Sequence, residues 1–478
     1  MENKIFKIFS VYFLSNLLAK IINFIFFAYL SRLLSIEEMG QFSLINMAVT
    51  ILSLFMLFEI QSGFNRYYLE QEDSKRKDFE ISITNLLILV NVVIFFIYML
   101  LKHIIGTVNI DFIDQSKNMI VILLIPLATG IVNIYQSKMR LVQNVKKVAC
   151  IMLIQAIANV ASFFCFFYLE IGIIYSLILS LLFQNIVIIL LFWDNYKEWK
   201  LTIKWTLINQ SLKFSLWLIP STIGSYFSLL SGKYFLGKFG LIKEVGIYEG
   251  NNRVANNLSF IMEPIYMAIM PVFYNEYKLE VFKEKYYKIL SVIFLLLFLL
   301  LIFLSIFAKE VTLIILGEKY INYIQYLYLF IWMSIFMFLA KIFAINIHLS
   351  QKSQFDTLIE CFSGFLNVIL IYSFISFYGL LGVVLAITLV YMIRVFLYIV
   401  FANYCFKKIK LSLLYISVYF LVGMCLTFMH FYLRDNSIYI RIVMFIIEFL
   451  VFGSIFFKIL NINYDGLFNK LLSKMKIH

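Results

Sequence analysis

Charged side chains interrupt stretches of sequence that are otherwise apolar: the cations Lys20, Lys233, Arg253, Lys341 and Arg394, and the acids Glu59, Glu263, Glu360 and Glu448. An ionisable group amid an apolar span costs roughly 2.5–3.5 kcal/mol on insertion scales, so each calls for a physical reason. The chemistry open to them is not covalent. A fixed cation lining a wet hollow can attract an anionic head group such as a diphosphate. A buried carboxyl can take up and release a coupling proton, because burial favours its neutral form. Lys20 suits the first role, standing mid-way along its apolar run. Glu263 and Glu360 suit the second. Glu263 precedes Pro264, which removes a helical hydrogen bond, so this pair joins a charge to a kink and marks a moving element. The plainer reading is that Lys and Arg reach toward head groups and that acids pair with bases. It applies most readily to Arg253, Arg394 and Arg441, and pairing is at least as good an account of Glu360.

Other chemistries lack their residues. The four histidines, His103, His348, His430 and His478, are scattered without metal-ligand spacing. The five cysteines, Cys150, Cys165, Cys361, Cys405 and Cys425, form no C-x-x-C pair and read as small buried hydrophobes. No phosphate-binding glycine loop is present. We therefore expect no catalytic residue, no metal and no cofactor. The largest loop on the expected outer side, Lys102 to Asn118, carries Asp111 and Asp114, which read as solvated loop carboxylates.

These residues must be held by elements that cross a bilayer. The chain has 478 residues, of which 63% are hydrophobic and 14% charged, against roughly 25% charged in soluble domains. So apolar a chain calls for lipid as its solvent, where only helices or closed barrels satisfy the backbone. Segments such as Ile289 to Ala308 are apolar on every face, which excludes the alternation of a barrel strand. About fourteen spans of ~20 residues follow: Ile8–Leu30, Phe42–Ser62, Phe79–Leu101, Met119–Ser137, Val148–Leu169, Ile173–Trp193, Leu212–Leu236, Val254–Phe273, Tyr287–Ala308, Ile324–Ile347, Phe355–Phe377, Leu380–Ala402, Leu411–Leu433 and Ser437–Phe457. Pro126, Pro220, Pro264 and Pro271 fall within spans and should bend or break them. The N-terminal run, following Lys4 and Lys7, reads as an uncleaved first helix.

The net charge of +13 does not point to nucleic acid, because the basic residues sit in short loops between spans. Alternate loops hold most of them: Arg66, Lys75, Arg76 and Lys77; Lys138, Arg140, Lys146 and Lys147; Lys197, Lys200 and Lys204; Lys278, Lys283 and Lys285; Lys407, Lys408 and Lys410. The tail adds Lys470, Lys474 and Lys476. The positive-inside rule then places both termini in the cytoplasm, in agreement with an even number of spans.

The chain also repeats itself. The segment Ser35 to Phe42 follows the first span, and Leu241 to Tyr248 follows the seventh. Glu38 matches Glu244, Gly40 matches Gly246, Phe42 matches Tyr248 and Asn46 matches Asn252. Six spans intervene, so the copies share one orientation, as parallel repeats do in transporters. The expected divisions are residues 1–205, an N-terminal lobe; 206–410, a second repeat; and 411–478, two last helices and a cytoplasmic tail.

The run Tyr29 to Leu44 resembles the N-terminal signature of polysaccharide-repeat-unit flippases of the multidrug/oligosaccharidyl-lipid/polysaccharide exporter superfamily. Gly63 with Arg66, Phe214 to Ser221, Phe235 to Gly237, Glu244 to Tyr248 and Tyr378 to Ala386 are similar to later signatures of that family. The resemblance implies an all-α polytopic protein with two lobes around a central cavity. It implies alternating access that carries undecaprenyl-diphosphate-linked oligosaccharide to the outer leaflet of the bacterial cytoplasmic (inner) membrane. Lipid-linked glycan, membrane lipid and a polysaccharide polymerase/chain-length complex are the implied partners. Lys20, Lys233 and Arg253 fit the basic residues associated with diphosphate in lipid-flippase members, with Arg66 and Lys341 as further substrate contacts and Glu263, Pro264 and Glu360 as coupling or gating residues. Relatives often have an acid beside the base of the seventh helix; this chain has Gly232 before Lys233, so coupling to a sodium or a proton gradient stays open. The alternatives are a cation-coupled multidrug-type efflux antiporter, whose cavity would be acidic, and a membrane polysaccharide polymerase or ligase, which needs an outer catalytic loop.

Overall fold

The structure is a computed structural model that describes residues 2–57, 59–105, 116–192, 199–277, 279, 282–350, 352–406, 409 and 413–459. The expected outer-loop acids Asp111 and Asp114, and the tail lysines Lys470, Lys474 and Lys476, lie outside the described residues. Among the described residues there are sixteen α-helices and no strand. They are α1 (Glu2–Leu33), α2 (Ile36–Leu57), α3 (Ile60–Tyr67), α4 (Asp73–Ile105), α5 (Ser116–Leu141), α6 (Val145–Tyr168), α7 (Ile173–Leu191), α8 (Trp205–Lys238), α9 (Ile242–Asn256), α10 (Ser259–Glu276), α11 (Phe282–Ile306), α12 (Ala308–Ile315), α13 (Ile324–Leu349), α14 (Ser353–Cys405), α15 (Leu413–Leu433) and α16 (Ile438–Ile459).

By length and composition, ten of the described helices can cross a membrane. One of them, α14, carries two of the expected spans. It is broken at Gly379, whose φ of 55° and ψ of −130° belong to no helix. The expected spans Leu212–Leu236, Val254–Phe273 and Ser437–Phe457 fall on α8, on α9 with α10, and on α16. The protein is an all-α polytopic membrane protein.

Two expected spans are not continuous. The second was read as one helix over Phe42–Ser62, yet α2 stops at Leu57 and α3 starts at Ile60, with Glu59 left-handed between them. The eighth breaks between α9 and α10 at Asn257 and Leu258, ahead of the expected kink at Glu263 and Pro264. Three-residue bonds tighten the chain there, from Asn257 N to Val254 O (3.3 Å), Leu258 N to Ala255 O (3.1 Å) and Phe260 N to Asn257 O (3.0 Å). Pro264 then lies inside α10.

Packing divides the chain into two units, residues 1–249 with 360–383, and residues 250–359 with 384–478. In the first unit α6 packs on α1 and α7, α5 on α2 and α7, and α8 on α2 and α3. Its α2 begins with a reciprocal cap over Ser35-Ile36-Glu37-Glu38: Glu38 Oε2 accepts from Ser35 N (2.7 Å) and Glu38 N donates to Ser35 Oγ (3.1 Å). The connector ahead of α8 is strapped to α4. Trp199 Nε1 donates to Asn85 Oδ1, Asn85 Nδ2 donates to the carbonyls of Lys200 (2.7 Å) and Thr202 (2.9 Å), and Lys204 Nζ pairs with Asp78 (2.6 Å).

In the second unit α13 is the central helix, with 83% of its most apolar stretch buried against neighbours such as α10, α11 and α15. By contrast α16 presents Ile438, Ile442, Ile446 and Leu450 outward at helical spacing. Water would not tolerate such a face, and lipid does.

Candidate functional site

The two copies of the internal repeat meet in the first unit. Near the start of α2, a Cβ on Gly40 would collide with the carbonyl oxygen of Ile242. Reciprocally, a Cβ on Gly246 of α9 would collide with the carbonyl oxygen of Ile36. Only glycine lets the two backbones approach so closely. One turn further along lie Ser43 and Glu249, which occupy matching places in the two repeats. Ser43 Oγ donates to Glu249 Oε2 (3.1 Å). Glu249 also pairs with Lys233 Nζ of α8 at 2.6 Å, and both side chains are nearly enclosed, at 6% and 14% exposure. A buried cation is thus held in place by a buried carboxylate and a hydroxyl.

The expected site residues divide between the units. In the first, Lys20 is half-buried on α1. Arg66 is exposed on α3 and pairs with Glu70 one turn on (2.8 Å). Gly63, quoted with it, packs on Ser211 and Ser215 of α8. Glu360 is buried and accepts from Ser225 Oγ (3.1 Å). Below it Asn367 Nδ2 donates to Ser228 O and Ser231 Oγ, both at 2.9 Å, so the first limb of α14 is tied to α8 by a polar seam.

In the second unit, Arg253 is exposed in the last turn of α9. Lys341 Nζ and Glu263 Oε1 are 2.6 Å apart, linking α13 to α10 beside Pro264. The residue proposed for cargo and the residue proposed for coupling are therefore one ion pair. Lys341 is half exposed in it, so solvent weakens the attraction.

Several groups escaped sequence reasoning. Glu249 lies outside the expected span Val254–Phe273, in the polar segment Glu249-Gly250-Asn251-Asn252-Arg253. The signal that could have found it was the match of Glu249 to Ser43 in the repeat. Lys233, which follows Gly232, meets its carboxylate partner on another helix, at Glu249 of α9. Lys138 of α5 pairs with Glu80 of α4 (2.7 Å). In the second unit His430 Nδ1 is 2.7 Å from Ser305 Oγ, and its Nε2 is 3.0 Å from Glu448. All three are buried, so this arrangement fastens α11, α15 and α16 and offers no reactive hydroxyl to a substrate. Arg441 meets Glu310 through both guanidinium nitrogens, at 2.8 and 2.6 Å.

The model of a family described as polysaccharide biosynthesis protein matches residues 29–325 of this chain. Among solved structures, the chain is similar to the lipid II flippase MurJ in an inward closed conformation, with 17% identity and a TM-score of 0.67, over 95% of this chain and 99% of that one. It is also similar to a multidrug resistance MATE family transporter of the MOP superfamily in an inward-facing conformation, with 14% identity and a TM-score of 0.62, over 81% and 94%. A MOP superfamily transporter from Pyrococcus furiosus, whose structure's title speaks of a reversed polarity of the binding pocket, matches at 13% identity and a TM-score of 0.52, over 84% and 96%. These likenesses give the fold. No curated protein matches the chain in sequence.

Proposed function

Because the chain belongs to the family of polysaccharide biosynthesis proteins, we propose that it is a flippase for undecaprenyl-diphosphate-linked oligosaccharide repeat units. It carries them by alternating access to the outer leaflet of the bacterial cytoplasmic membrane. The lipid tail stays in the bilayer while the head group crosses. The asymmetry of the basic loops supports a cytoplasmic placement of both termini. The product then passes to a polysaccharide polymerase and chain-length complex.

The observation that carries this reading is the enclosed pair of Lys233 with Glu249. A lone buried ammonium would lose its proton or unfold its site, whereas a paired one stays charged. A diphosphate offers more charge and more acceptor oxygens than one carboxylate. Its arrival can displace Glu249 from Lys233 and release Ser43, loosening the contact of α2 with α9. Cargo binding is thereby linked to the glycine contact one turn away. Lys20 and Arg66 of the first unit, and Arg253 and Lys341 of the second, are our further candidates for contact with the head group.

The test is complementation of a strain lacking its own repeat-unit flippase, with membrane level of the protein measured in parallel. Lys233→Met combined with Glu249→Gln, which leaves no enclosed charge unpaired, should abolish surface polysaccharide at unchanged membrane level, and Lys233→Arg alone should retain part of it. Full surface polysaccharide with the double variant would remove Lys233 from cargo handling.

A further inference from the structure

The break between α2 and α3 holds a second polar site. Glu59 stands there with φ 53° and ψ 19°, a left-handed conformation that costs a non-glycine residue roughly 1–3 kcal/mol. The interruption frees backbone carbonyls, and side chains from other helices take them up. Asn91 Nδ2 donates to Met56 O (3.2 Å), and Ser215 Oγ donates to Glu59 O (2.9 Å). The carboxylate itself accepts from Ser62 Oγ at Oε2 (2.7 Å) and from Thr222 Oγ1 at Oε1 (3.1 Å). Among the described residues no basic side chain pairs with it.

A cavity of about 210 Å³ opens beside this carboxylate. Its polar lining is Ser53, Glu59, Gln61, Asn133 and Tyr226, and leucine and isoleucine side chains close the rest. Gln61 turns its Nε2 to Ser137 (3.0 Å), and Ser53 donates its proton to Val49 O (2.7 Å). What faces the cavity is therefore rich in oxygen acceptors and carries one formal negative charge.

We propose that this cavity binds a hydrated monovalent alkali cation. The inference deepens the transport reading, on which it rests, by naming the ion that drives it and where that ion sits. Oxygen donors of carboxylate, amide and hydroxyl type suit hard cations. A single carboxylate balances a single positive charge, and among the described residues no three His, Cys, Asp or Glu side chains cluster to hold a multivalent metal. The volume equals about seven waters at ~30 Å³ each, so the ion keeps part of its hydration. The interruption between α2 and α3 places this carboxylate against the cavity. A proton alone is the poorer occupant. A proton needs neither this volume nor the further oxygen-bearing side chains around it.

The experiment uses the full chain purified in detergent, without glycan, and measures binding of radiolabelled sodium with lithium, potassium and choline as competitors. Saturable binding is expected, displaced by the alkali ions and not by choline. Glu59→Gln should weaken it about tenfold or more, and Asn133→Leu should weaken it several-fold. Glu37→Gln, at an exposed carboxylate that does not line the cavity, should bind as the unmutated protein does. Absence of saturable binding, or equal binding by Glu59→Gln, overturns the proposal. So does stability that responds to pH alone with no sodium bound. If Glu59→Gln fails to fold, the unmutated protein and Asn133→Leu still decide. Because no cargo is present, this measurement can fail while complementation succeeds, and the reverse.

Discussion

Gly40 faces the backbone carbonyl of Ile242, on the helix of Gly246, and Gly246 faces the backbone carbonyl of Ile36, on the helix of Gly40. The contact is reciprocal, so the internal repeat is not only a trace of duplication but a meeting surface. A methyl group at either position must push two helices apart, since the obstacle is backbone and cannot rotate away. Overpacking of this kind costs roughly 1–3 kcal/mol. Gly40→Ala and Gly246→Ala should each lower the melting temperature of the purified protein and reduce surface polysaccharide. Because the two share one contact, the double variant should lose less than the sum. Strict additivity would show that the glycines are not coupled.

The pair Lys233–Glu249 makes a separate prediction about stability. Removing one partner leaves the other charge enclosed, which costs roughly 3–5 kcal/mol, while removing both leaves a neutral and well-filled site. Lys233→Met and Glu249→Gln should therefore each destabilise strongly, and the double variant should recover much of the loss. Transport separates the roles: the double variant should fold and still fail to export. Export by the double variant would mean that the pair serves packing only.

The sequence showed much of this architecture because lipid imposes a simple rule on composition and length. The apolar runs and their charge asymmetry each depend on residues close together in the chain. What it hid depends on residues far apart. Glu249 looks like a loop acid until α8 places Lys233 against it. Lys341 and Glu263 look like two functional charges until α13 and α10 make them partners. The break at Glu59 was invisible because its neighbours are apolar and no proline or glycine marks the spot. Its stabilisers, Asn91, Ser215 and Thr222, come from α4 and α8. At the eighth span the sequence pointed to Pro264 and missed Asn257 and Leu258, where the helix tightens without proline.

Gly379 supports the division of α14 into two limbs. Its φ of 55° with ψ −130° is a combination that side chains forbid, and Gly382 then packs directly on Phe374. Gly379→Ala should cost roughly 1–3 kcal/mol through backbone strain, although nothing stands within 4 Å of the added carbon. Thermal unfolding compared with Gly172→Val, whose own glycine is left-handed at φ 97° in open space, provides the scale. A Gly379→Ala protein as stable as the original would mean that the bend can form elsewhere.

The last two helices are fastened to the second unit by polar anchors within an otherwise apolar interface. His430 joins Ser305 to Glu448, and Arg441 joins Glu310 and the carbonyl of Ile306 (3.2 Å). Arg441 is 7% exposed and Glu310 27%, so truncating the arginine leaves Glu310 unpaired with only partial access to water. Arg441→Met should expose the backbone of α15 and α16 to faster hydrogen exchange while α13, buried among its own neighbours, keeps its protection. His430→Leu should act on the same two helices, because it leaves Glu448 and Ser305 without their shared partner. Glu310→Gln combined with Arg441→Met should restore part of the protection lost by Arg441→Met alone, since no charge is then stranded. If exchange rises equally over α13 and α16, the anchors stabilise the unit as a whole and do not hold these helices in particular.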